Sequence, residues 1–325
     1  MNNKVLIIGG GGQLGIYLAK LLLKKNYKVT ITSRDPNKIK ITQISKNFGN
    51  LKPRIIKLDI FNKKNIYTIL KKNKPHHVFY FAGQSSVADS FQKKIETNKS
   101  NFNGCKNILD QIIKLNLKLK FFNAASLEIF GNKNGKIKLN TNKKPVSPYG
   151  FSKLKSFKLV KKYRNKYNLK LYNGLLSNCE SYLRPNNFVL PKVCLAALMA
   201  KKDKKKGITR KFHFGNINIS RDWGWAEEYV KYIWKKMNYG SEFDFIIATG
   251  RTFKLKNLIK MAFKSVNLDW KQHVVTDKKL FRKKEISNVN ISKIDTGNII
   301  KTNGKNIIIK LLKFYKSKSN LLSKK

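Results

Sequence analysis

The sequence predicts an α/β protein built on a doubly wound parallel sheet, with a smaller lobe at its C-terminal end. In the first 175 residues short apolar strands alternate with helices, a pattern typical of parallel sheets with helices on both faces. Beyond Ser177 the alternation gives way to loops and scattered short elements. We therefore expect a first domain over residues 1–176 and a mainly substrate-binding lobe over residues 177–325, with some segments that return to the first domain.

Each predicted element follows from the spacing of its apolar residues. The predicted strands are the apolar runs Val5–Ile8, Val29–Thr32, Ile55–Leu58, His77–Phe81, Lys120–Asn123 and Leu169–Leu175. The predicted helices between them are Leu14–Leu23, Lys63–Lys71, Lys99–Ile113 and Phe151–Lys166. The C-terminal lobe adds a helix at Leu190–Ala200 and an amphipathic helix at Asn306–Phe314 with a basic tail.

Composition excludes several broad classes of protein. With 325 residues, 41% of them apolar, the chain can bury a sizeable core, which excludes intrinsic disorder. No apolar run approaches the roughly 20 residues that span a membrane, and the glycines from Gly9 onward argue against a signal peptide. Cys105, Cys179 and Cys194 are odd in number and widely spaced, which predicts neither disulfides nor a metal site. We therefore expect a soluble, cytoplasmic protein.

The net charge of +53 arises from 70 Lys and Arg residues against 17 Asp and Glu residues. Such an excess ordinarily indicates a nucleic acid or an anionic membrane as partner. The lysines, however, are spread along the whole chain together with many Asn and Ile residues, which also have A/T-rich codons. We attribute the charge to genomic base composition and expect neither specific nucleic-acid binding nor membrane binding.

Only eight of the cationic residues are arginine. Lysine replaces arginine freely on a solvated surface but cannot supply the planar, bidentate contact that phosphates favour. The arginines that fall within motifs are therefore candidate phosphate ligands. They are Arg34, Arg184, Arg221 and Arg282.

A glycine-rich turn follows the first predicted strand and opens the first helix. Gly9, Gly12 and Gly15 have the spacing that permits a tight turn, with the helix N-terminus facing a pyrophosphate. This pattern is typical of a Rossmann-type dinucleotide site, and Gln13 and Leu14 at the helix start belong to it.

The end of the second strand usually selects between NAD and NADP. Here it reads Thr32-Ser33-Arg34, in which Arg34 suits a 2′-phosphate, whereas the acidic Asp35 comes one position late. We therefore expect NADP as the cofactor. Further cofactor contacts are predicted at the ends of the third and fourth strands, at Asp59, Ile60, Phe81, Ala82, Gly83 and Gln84.

A catalytic set follows the fifth predicted strand. Tyr149 and Lys153 are four residues apart, which puts them on one helix face, where the ammonium can lower the pKa of the phenol. Ser126 can hydrogen-bond the reacting oxygen. Glu128 supplies a second base, which is needed only if a proton leaves the carbon beside a newly formed ketone. Together with the glycine turn, the Tyr–Lys pair resembles the short-chain dehydrogenases/reductases, and the length of 325 residues points to their extended branch.

The whole pattern resembles the GDP-mannose 4,6-dehydratase family, nearly end to end. The segments that carry the resemblance are AASLEIFG around Ser126, FAGQSSVADSF after the fourth strand, NCES from Asn178, RDWGWA from Arg221, and Phe281-Arg282 with Glu285. The family's activity implies that Tyr149 deprotonates the C4 hydroxyl of GDP-mannose while NADP takes the hydride. Glu128 then removes the C5 proton, water leaves from C6, and the hydride returns to C6.

The resemblance also implies binding roles. For the cofactor it implies Cys179, Arg184 and Lys153; for the substrate it implies Ser85, Asn178, Glu180, Val189, Arg221, Arg282 and Glu285. Arg221 and Arg282 are expected to hold the GDP diphosphate. Trp223 and Trp225 are expected to be core residues rather than platforms for guanine.

Some positions depart from the family. Cys179 replaces the histidine of its N-H-E-S segment, Tyr182 replaces the following proline, and Pro191 replaces a basic residue. The segment after Arg34 lacks the serine- and arginine-rich loop that builds the family's tetramer. We therefore expect a homodimer and leave tetramerisation open.

Two other functions remain open from the sequence. One is another extended short-chain nucleotide-sugar epimerase, dehydratase or 4-ketoreductase, against which Glu128 and the RDWG segment argue. The other, more distant, is a non-catalytic protein that binds nucleotides or nucleic acid, against which the complete set of Ser126, Tyr149 and Lys153 argues.

Overall fold

A seven-stranded parallel sheet forms the centre of the first of two compact units. The structure is a computed structural model that describes residues 3–39, 51–132, 135–292, 296 and 298–322. The first unit comprises Met1–Gly131, Leu139–Leu176 and Tyr229–Ile247, and the second comprises Asn132–Lys138, Ser177–Glu228 and Ala248–Lys325.

The strands are β1 (Lys4–Ile8), β2 (Lys28–Ser33), β3 (Arg54–Lys57), β4 (His77–Tyr80), β5 (Lys120–Ser126), β6 (Lys170–Leu176), β7 (Asn178–Glu180), β8 (Phe212–Phe214), β9 (Ser220–Trp225), β10 (Asp244–Ile247), β11 (Thr252–Lys254) and β12 (Val274–Thr276). The helices are α1 (Gln13–Leu23), α2 (Lys63–Asn73), α3 (Lys94–Asn98), α4 (Gly104–Lys114), α5 (Pro148–Tyr167), α6 (Val189–Lys204), α7 (Ala226–Tyr239), α8 (Leu255–Lys264) and α9 (Gly304–Leu322).

The central sheet has the order β10-β6-β5-β4-β1-β2-β3, and every neighbouring pair in it is parallel. This confirms the predicted α/β fold with a doubly wound parallel sheet. The six predicted strands are all present, with ends that differ from the prediction by at most three residues. Because the strands are parallel, their carboxyl ends meet at one edge, where ligands of such folds bind.

The helix predicted over Lys99–Ile113 is interrupted. The chain forms α3, then a π turn over Lys99–Asn103, then α4. The Tyr80 hydroxyl donates to the carbonyl of Ser100 at 2.6 Å, so a side chain from strand β4 hydrogen-bonds to the backbone of the π turn. Gly104 lies directly against Tyr80. Such π turns are frequent at functional sites, and this one follows strand β4.

The second unit is held by short strands and a buried apolar cluster. Strand β9 pairs with β7 in parallel and with β11 in antiparallel orientation, and β8 pairs with β12. Trp223 and Trp225 are 0% and 2% exposed in this cluster, which confirms that they are core residues. Helix α9 is longer than predicted. No helix within the described ranges is long and apolar enough to cross a bilayer.

The carboxylate of Asp222 joins three segments of the second unit. It accepts hydrogen bonds from the Ser177 hydroxyl (2.9 Å), from the backbone N–H and hydroxyl of Thr249 (3.0 and 2.9 Å) and from the backbone N–H of Arg251 (3.1 Å). Burial raises the pKa of Asp222, and these hydrogen bonds oppose that rise. The buried charge is therefore compensated by donors rather than by an ion pair.

The three cysteines are free and buried. Burial raises the pKa of the Cys105 thiol to about 12 and raises the pKa of Cys179 and Cys194 well above the ordinary value. The thiols are consequently protonated at neutral pH.

A buried ion pair connects helix α5 to the sheet. Arg164 donates two hydrogen bonds to Asp244, at 2.8 and 3.0 Å, and both side chains are less than 15% exposed. Asn173 donates to the same carboxylate at 3.0 Å and accepts from Asn123 at 2.9 Å. This network links strands β5, β6 and β10.

We expect Asp244→Ala to lower the free energy of unfolding by about 3 kcal/mol, because it leaves the buried Arg164 charge without its carboxylate partner and with the carbonyl of Leu171 as an uncharged acceptor. The matched control is Glu242→Gln, which removes a 57% exposed partner of Lys236 and should cost less than about 1 kcal/mol. Urea unfolding of both variants tests this, and equal losses would show that the network adds no stability.

Candidate active site

The glycine-rich turn brings backbone from two strands into close contact. Gly9 adopts φ +79°, and a Cβ there would lie 2.5 Å from the backbone nitrogen of Ala82. A Cβ at Gly15 would lie 2.5 Å from the Cα of Gly10. Both positions therefore require glycine. Gly12 caps helix α1, which carries no acidic residue in its first turn, so its N-terminus can receive an anion.

A cavity of about 450 Å³ opens beside this turn. It is lined by Ile8, Gly9, Gly11, Gly12, Thr32, Ser33, Arg34, Ile39, Leu58, Ile60, Phe61, Phe81, Ala82, Gly83, Gln84, Glu96 and Ser100. We call it the cofactor cleft. Most of the cofactor-binding residues predicted in the first unit therefore lie together around it. Gln13 and Leu14 form the first turn of α1, behind the glycines.

Arg34 faces the cofactor cleft, whereas the carboxylates of Asp35 and Asp59 accept hydrogen bonds from nearby backbone. Arg34 is exposed and lines the cleft at the end of β2. Asp35 turns its carboxylate to the backbone N–H of Asn37, at 3.1 Å. Asp59 accepts from the backbone N–H of Phe61, at 2.9 Å, so its carboxylate stabilises the turn after β3.

Sequence reasoning missed Asn101, which connects two parts of the site. Its side-chain amide donates to the carbonyl of Gln84 at 3.0 Å and to the hydroxyl of Ser152 at 3.1 Å. Ser100 accepts from the backbone N–H of Gln84 at 3.2 Å. The π turn thus holds the loop after β4, where the exposed Ser85 lies, close to helix α5. Glu96 and Ser100 in the cleft were missed as well.

Strand β5 ends at Ser126, and a 3₁₀ turn carries Glu128. Ser126 is 8% exposed, and its hydroxyl accepts from the backbone N–H of Glu128 at 3.2 Å. A Cβ at Gly150 would lie 2.7 Å from the carbonyl oxygen of Glu128. The turn therefore lies directly against the start of helix α5, next to Tyr149.

Helix α5 begins with Pro148 and is capped by Ser147, whose hydroxyl accepts from the N–H of Gly150 at 3.0 Å. Tyr149 is therefore fixed in the first turn and is half-buried. One turn later, the ammonium of Lys153 lies 5.7 Å from the centre of the Tyr149 ring. The spacing predicted from the sequence thus gives two neighbouring side chains.

Lys153 is 8% exposed, and its ammonium donates to the carbonyl oxygen of Ala124 at 2.9 Å. Burial lowers the pKa of Lys153 to about 8, and the nearby Cys105 opposes this change. The ammonium is therefore charged at neutral pH but loses its proton more readily than a surface lysine.

In the second unit, β7 carries Asn178, Cys179 and Glu180. Glu180 is 1% exposed, and burial raises the pKa of its carboxyl to about 7, against the effect of Arg184. The two charged groups are 3.8 Å apart. Arg184 also stacks on Phe188, 3.5 Å from the ring centre.

The two predicted diphosphate ligands differ in exposure. Arg221 is 2% exposed and donates to the carbonyl of Ser220 at 2.9 Å. Arg282 is partly exposed and lies 3.6 Å from the carboxylate of Glu285. Val189 is the first residue of helix α6.

A profile of the family described as GDP-mannose 4,6 dehydratase matches residues 6–305. The chain is 32% identical over 294 residues to GDP-mannose 4,6 dehydratase 1 of Arabidopsis thaliana, and the match covers 87% of this chain and 80% of that protein.

Two solved structures share the fold. A dTDP-glucose 4,6-dehydratase of Bacillus anthracis in complex with NAD has a TM-score of 0.81 at 17% identity, covering 97% of this chain and 96% of that one. A UDP-glucose 4-epimerase of Thermotoga maritima with UDP-glucose has a TM-score of 0.80 at 20% identity, covering 97% and 99%. The fold alone therefore does not separate dehydratase from epimerase, but the sequence match does: the chain belongs to the GDP-mannose 4,6-dehydratase family.

Proposed function

We propose that the protein is a lyase that converts GDP-mannose to GDP-4-keto-6-deoxymannose and water. The observation that carries this proposal is the turn after β5, which holds Glu128 against the start of helix α5, beside Tyr149. A simple oxidation or epimerisation at C4 needs Ser126, Tyr149 and Lys153. Glu128, whose backbone lies against the residue after Tyr149, supplies the second base that elimination requires.

We propose NADP as the cofactor. The glycine cradle at Gly9 and Gly15 and the uncharged first turn of α1 fit a pyrophosphate. Arg34 at the end of β2 fits a 2′-phosphate, and no carboxylate at that strand end lines the cleft among the described residues. When bound, NADP accepts a hydride from the sugar and later returns it.

The proton transfers of oxidation and elimination in the proposed reaction are carried out by residues of the first unit. Tyr149 removes the proton of the C4 hydroxyl, and the Lys153 ammonium stabilises the phenolate that does so. The Ser126 hydroxyl hydrogen-bonds the oxygen at C4. Glu128 removes the C5 proton, which the adjacent ketone makes acidic, and gives a proton to the C6 hydroxyl as it leaves as water. C5 takes up a proton from solvent as C6 receives the hydride, and Tyr149 releases the proton taken from the C4 hydroxyl, so that one water is the only net loss.

The substrate contacts in the second unit follow from the family resemblance. Asn178 contacts the sugar, and Arg221 and Arg282 bind the diphosphate through charge-assisted hydrogen bonds that orient the sugar. Arg184 and Cys179 contact the cofactor. A homodimer is favoured because the segment after Arg34 lacks the loop that builds the family's tetramer, and the three free, buried thiols support a cytoplasmic location.

The experiment that tests the function is turnover of GDP-mannose with NADP in deuterated water, followed by mass spectrometry. The wild type should release one water and incorporate one deuterium at C5. Glu128→Gln should slow this by about 100-fold or more, because it removes the C5 base. Glu242→Gln, the same change at an exposed carboxylate, should leave the rate unchanged.

The two half-reactions distinguish loss of the base from loss of the fold. Glu128→Gln retains Tyr149 and Lys153, so mixing it with GDP-mannose should still reduce NADP. Nearly intact turnover in Glu128→Gln would instead favour the epimerase or 4-ketoreductase function. If the protein turned over a UDP- or dTDP-sugar and not GDP-mannose, the proposed reaction would stand and the proposed substrate would be wrong.

Arg34→Ser should raise KM for NADP by about tenfold or more, since it removes a charge-assisted contact to the 2′-phosphate. KM for NAD should not rise. Arg251→Gln, at an exposed arginine, serves as the control for net charge. Equal losses with both cofactors would contradict the proposed selectivity.

The titration of Lys153 gives a pH-dependent prediction. Between pH 8 and 10.5 the unfolded chain holds a proton at this position that the folded chain has lost, because burial lowers the pKa. The free energy of unfolding therefore rises with pH in this window. The rise should be about 3 kcal/mol relative to Lys153→Met, which has no titratable group at this position.

Urea unfolding of both proteins at several pH values measures this difference. Below pH 8 both states of the wild type are protonated, so the two curves should run parallel there. Parallel curves up to pH 10.5 would mean that the folded state does not lower the pKa of Lys153.

A further inference from the structure

A second cavity lies at the end of the central sheet opposite the glycine turn. Its volume is about 460 Å³, close to that of the cofactor cleft. The cavity is formed where strands β1, β2 and β3 begin and where helix α2 ends. It is lined by Lys4, Val5, Leu23, Tyr27, Lys28, Val29, Thr30, Lys52, Arg54, Lys72, Asn73 and Pro75. We call it the basal cavity.

The strand register places the basic residues on one face. Lys4 is the register partner of Lys28, and Thr30 is the partner of Arg54. Side chains two residues apart in a strand share a face, so Lys28 lies on the same face as Thr30. Neighbouring strands are about 4.8 Å apart, and the cationic groups therefore surround one small volume.

The wall of the basal cavity also contains uncharged hydrogen-bonding groups. Thr30 is 8% exposed, and its hydroxyl donates to the side-chain oxygen of Asn73 at the end of helix α2, at 3.5 Å. Tyr27 and Pro75 complete the wall. The cavity thus combines cationic side chains with a hydroxyl and an amide.

Its five cationic side chains meet no carboxylate. Neither Asp nor Glu lines the basal cavity, and none of the five has an ion pair within the described ranges. The first 88 residues contain two acids, Asp35 and Asp59, and both follow the carboxyl ends of their strands, at the cofactor edge. The cofactor cleft, by contrast, is lined by one arginine and one glutamate.

The presence of Arg54 distinguishes the basal cavity from surfaces that carry only lysines. Four of the eight arginines face carboxylates, namely Arg164, Arg184, Arg210 and Arg282. Arg221 is buried and Arg34 lines the cofactor cleft. Arg54 lines the basal cavity with four lysines and without a protein anion. Cationic side chains that line one cavity repel one another, and a bound anion relieves that repulsion.

We propose that the basal cavity binds a small polyanion with two or more phosphate groups. Arg54 supplies the planar, bidentate contact, and Lys4, Lys28, Lys52 and Lys72 supply compensating charge. The volume is in the range of small-molecule pockets, which favours a compact phosphorylated compound over a nucleic-acid backbone.

Calorimetric titration with inorganic tripolyphosphate tests the proposal. The full-length protein is first saturated with NADP and GDP, so that phosphate groups at the nucleotide sites are not available to the probe. The wild type should show saturable binding at one site. The double variant Arg54→Gln/Lys28→Gln should bind at least about tenfold more weakly, with unchanged thermal unfolding as evidence of folding.

The control variant Lys201→Gln/Lys202→Gln removes the same charge from exposed positions of helix α6 and should retain wild-type affinity. Equal weakening in both variants would overturn the proposal, since it would reflect net charge alone. The absence of saturable binding in the wild type would also overturn it. Binding of single-stranded RNA without binding of tripolyphosphate would assign the surface to a nucleic acid instead. None of these outcomes depends on turnover of GDP-mannose.

Discussion

The contact between the Lys153 ammonium and the carbonyl oxygen of Ala124 fixes helix α5 on strand β5, and the candidate active site depends on it. A buried cation must find an acceptor, so the helix cannot slide along the sheet without leaving this charge unsolvated. Tyr149 lies one turn away on the same helix, so its position relative to the end of strand β5 is fixed as well. Gly150 then allows the helix to approach the backbone carbonyl of Glu128, so the turn that carries Glu128 packs against the residue after Tyr149.

Local features were predicted well, because the residues that determine them are adjacent in sequence. The glycine turn, the first six strands and the Tyr149–Lys153 pair all depend on spacing within one or two elements. The π turn could not be predicted, since it depends on the Tyr80 hydroxyl, 20 residues before its acceptor. Strand β10 was missed for a similar reason, because it pairs with β6 some 70 residues earlier.

The two units differ in what the sequence alone could indicate. In the first, Ser126, Glu128 and Arg34 were chosen by chemical reasoning about a strand end, and the structure gives each a defined position. In the second, Arg221 and Arg282 were candidates because arginine is rare in this chain, but their roles, like that of Asn178, came from the family resemblance. Their segments have no periodicity that marks a binding residue, and burial of Arg221 could not be deduced from its charge.

The few acidic residues carry a large share of the internal polar contacts. Asp244 holds Arg164 and Asn173, and Asp222 joins three segments. Glu228 accepts from the backbone of Lys301 and from the backbone and hydroxyl of Thr302. Accumulation of lysine on the surface is tolerated because solvated charges contribute little to stability. Loss of these particular carboxylates would leave buried donors unsatisfied.

The state of the three cysteines has a practical consequence for chemical labelling. All are buried, and their thiols are protonated at neutral pH, whereas thiol reagents attack the exposed thiolate. A cysteine introduced on the surface would therefore react in preference to the native ones, without their prior replacement. A single fluorophore or spin label could thus be attached at a chosen position while the native packing around Cys105, Cys179 and Cys194 is retained.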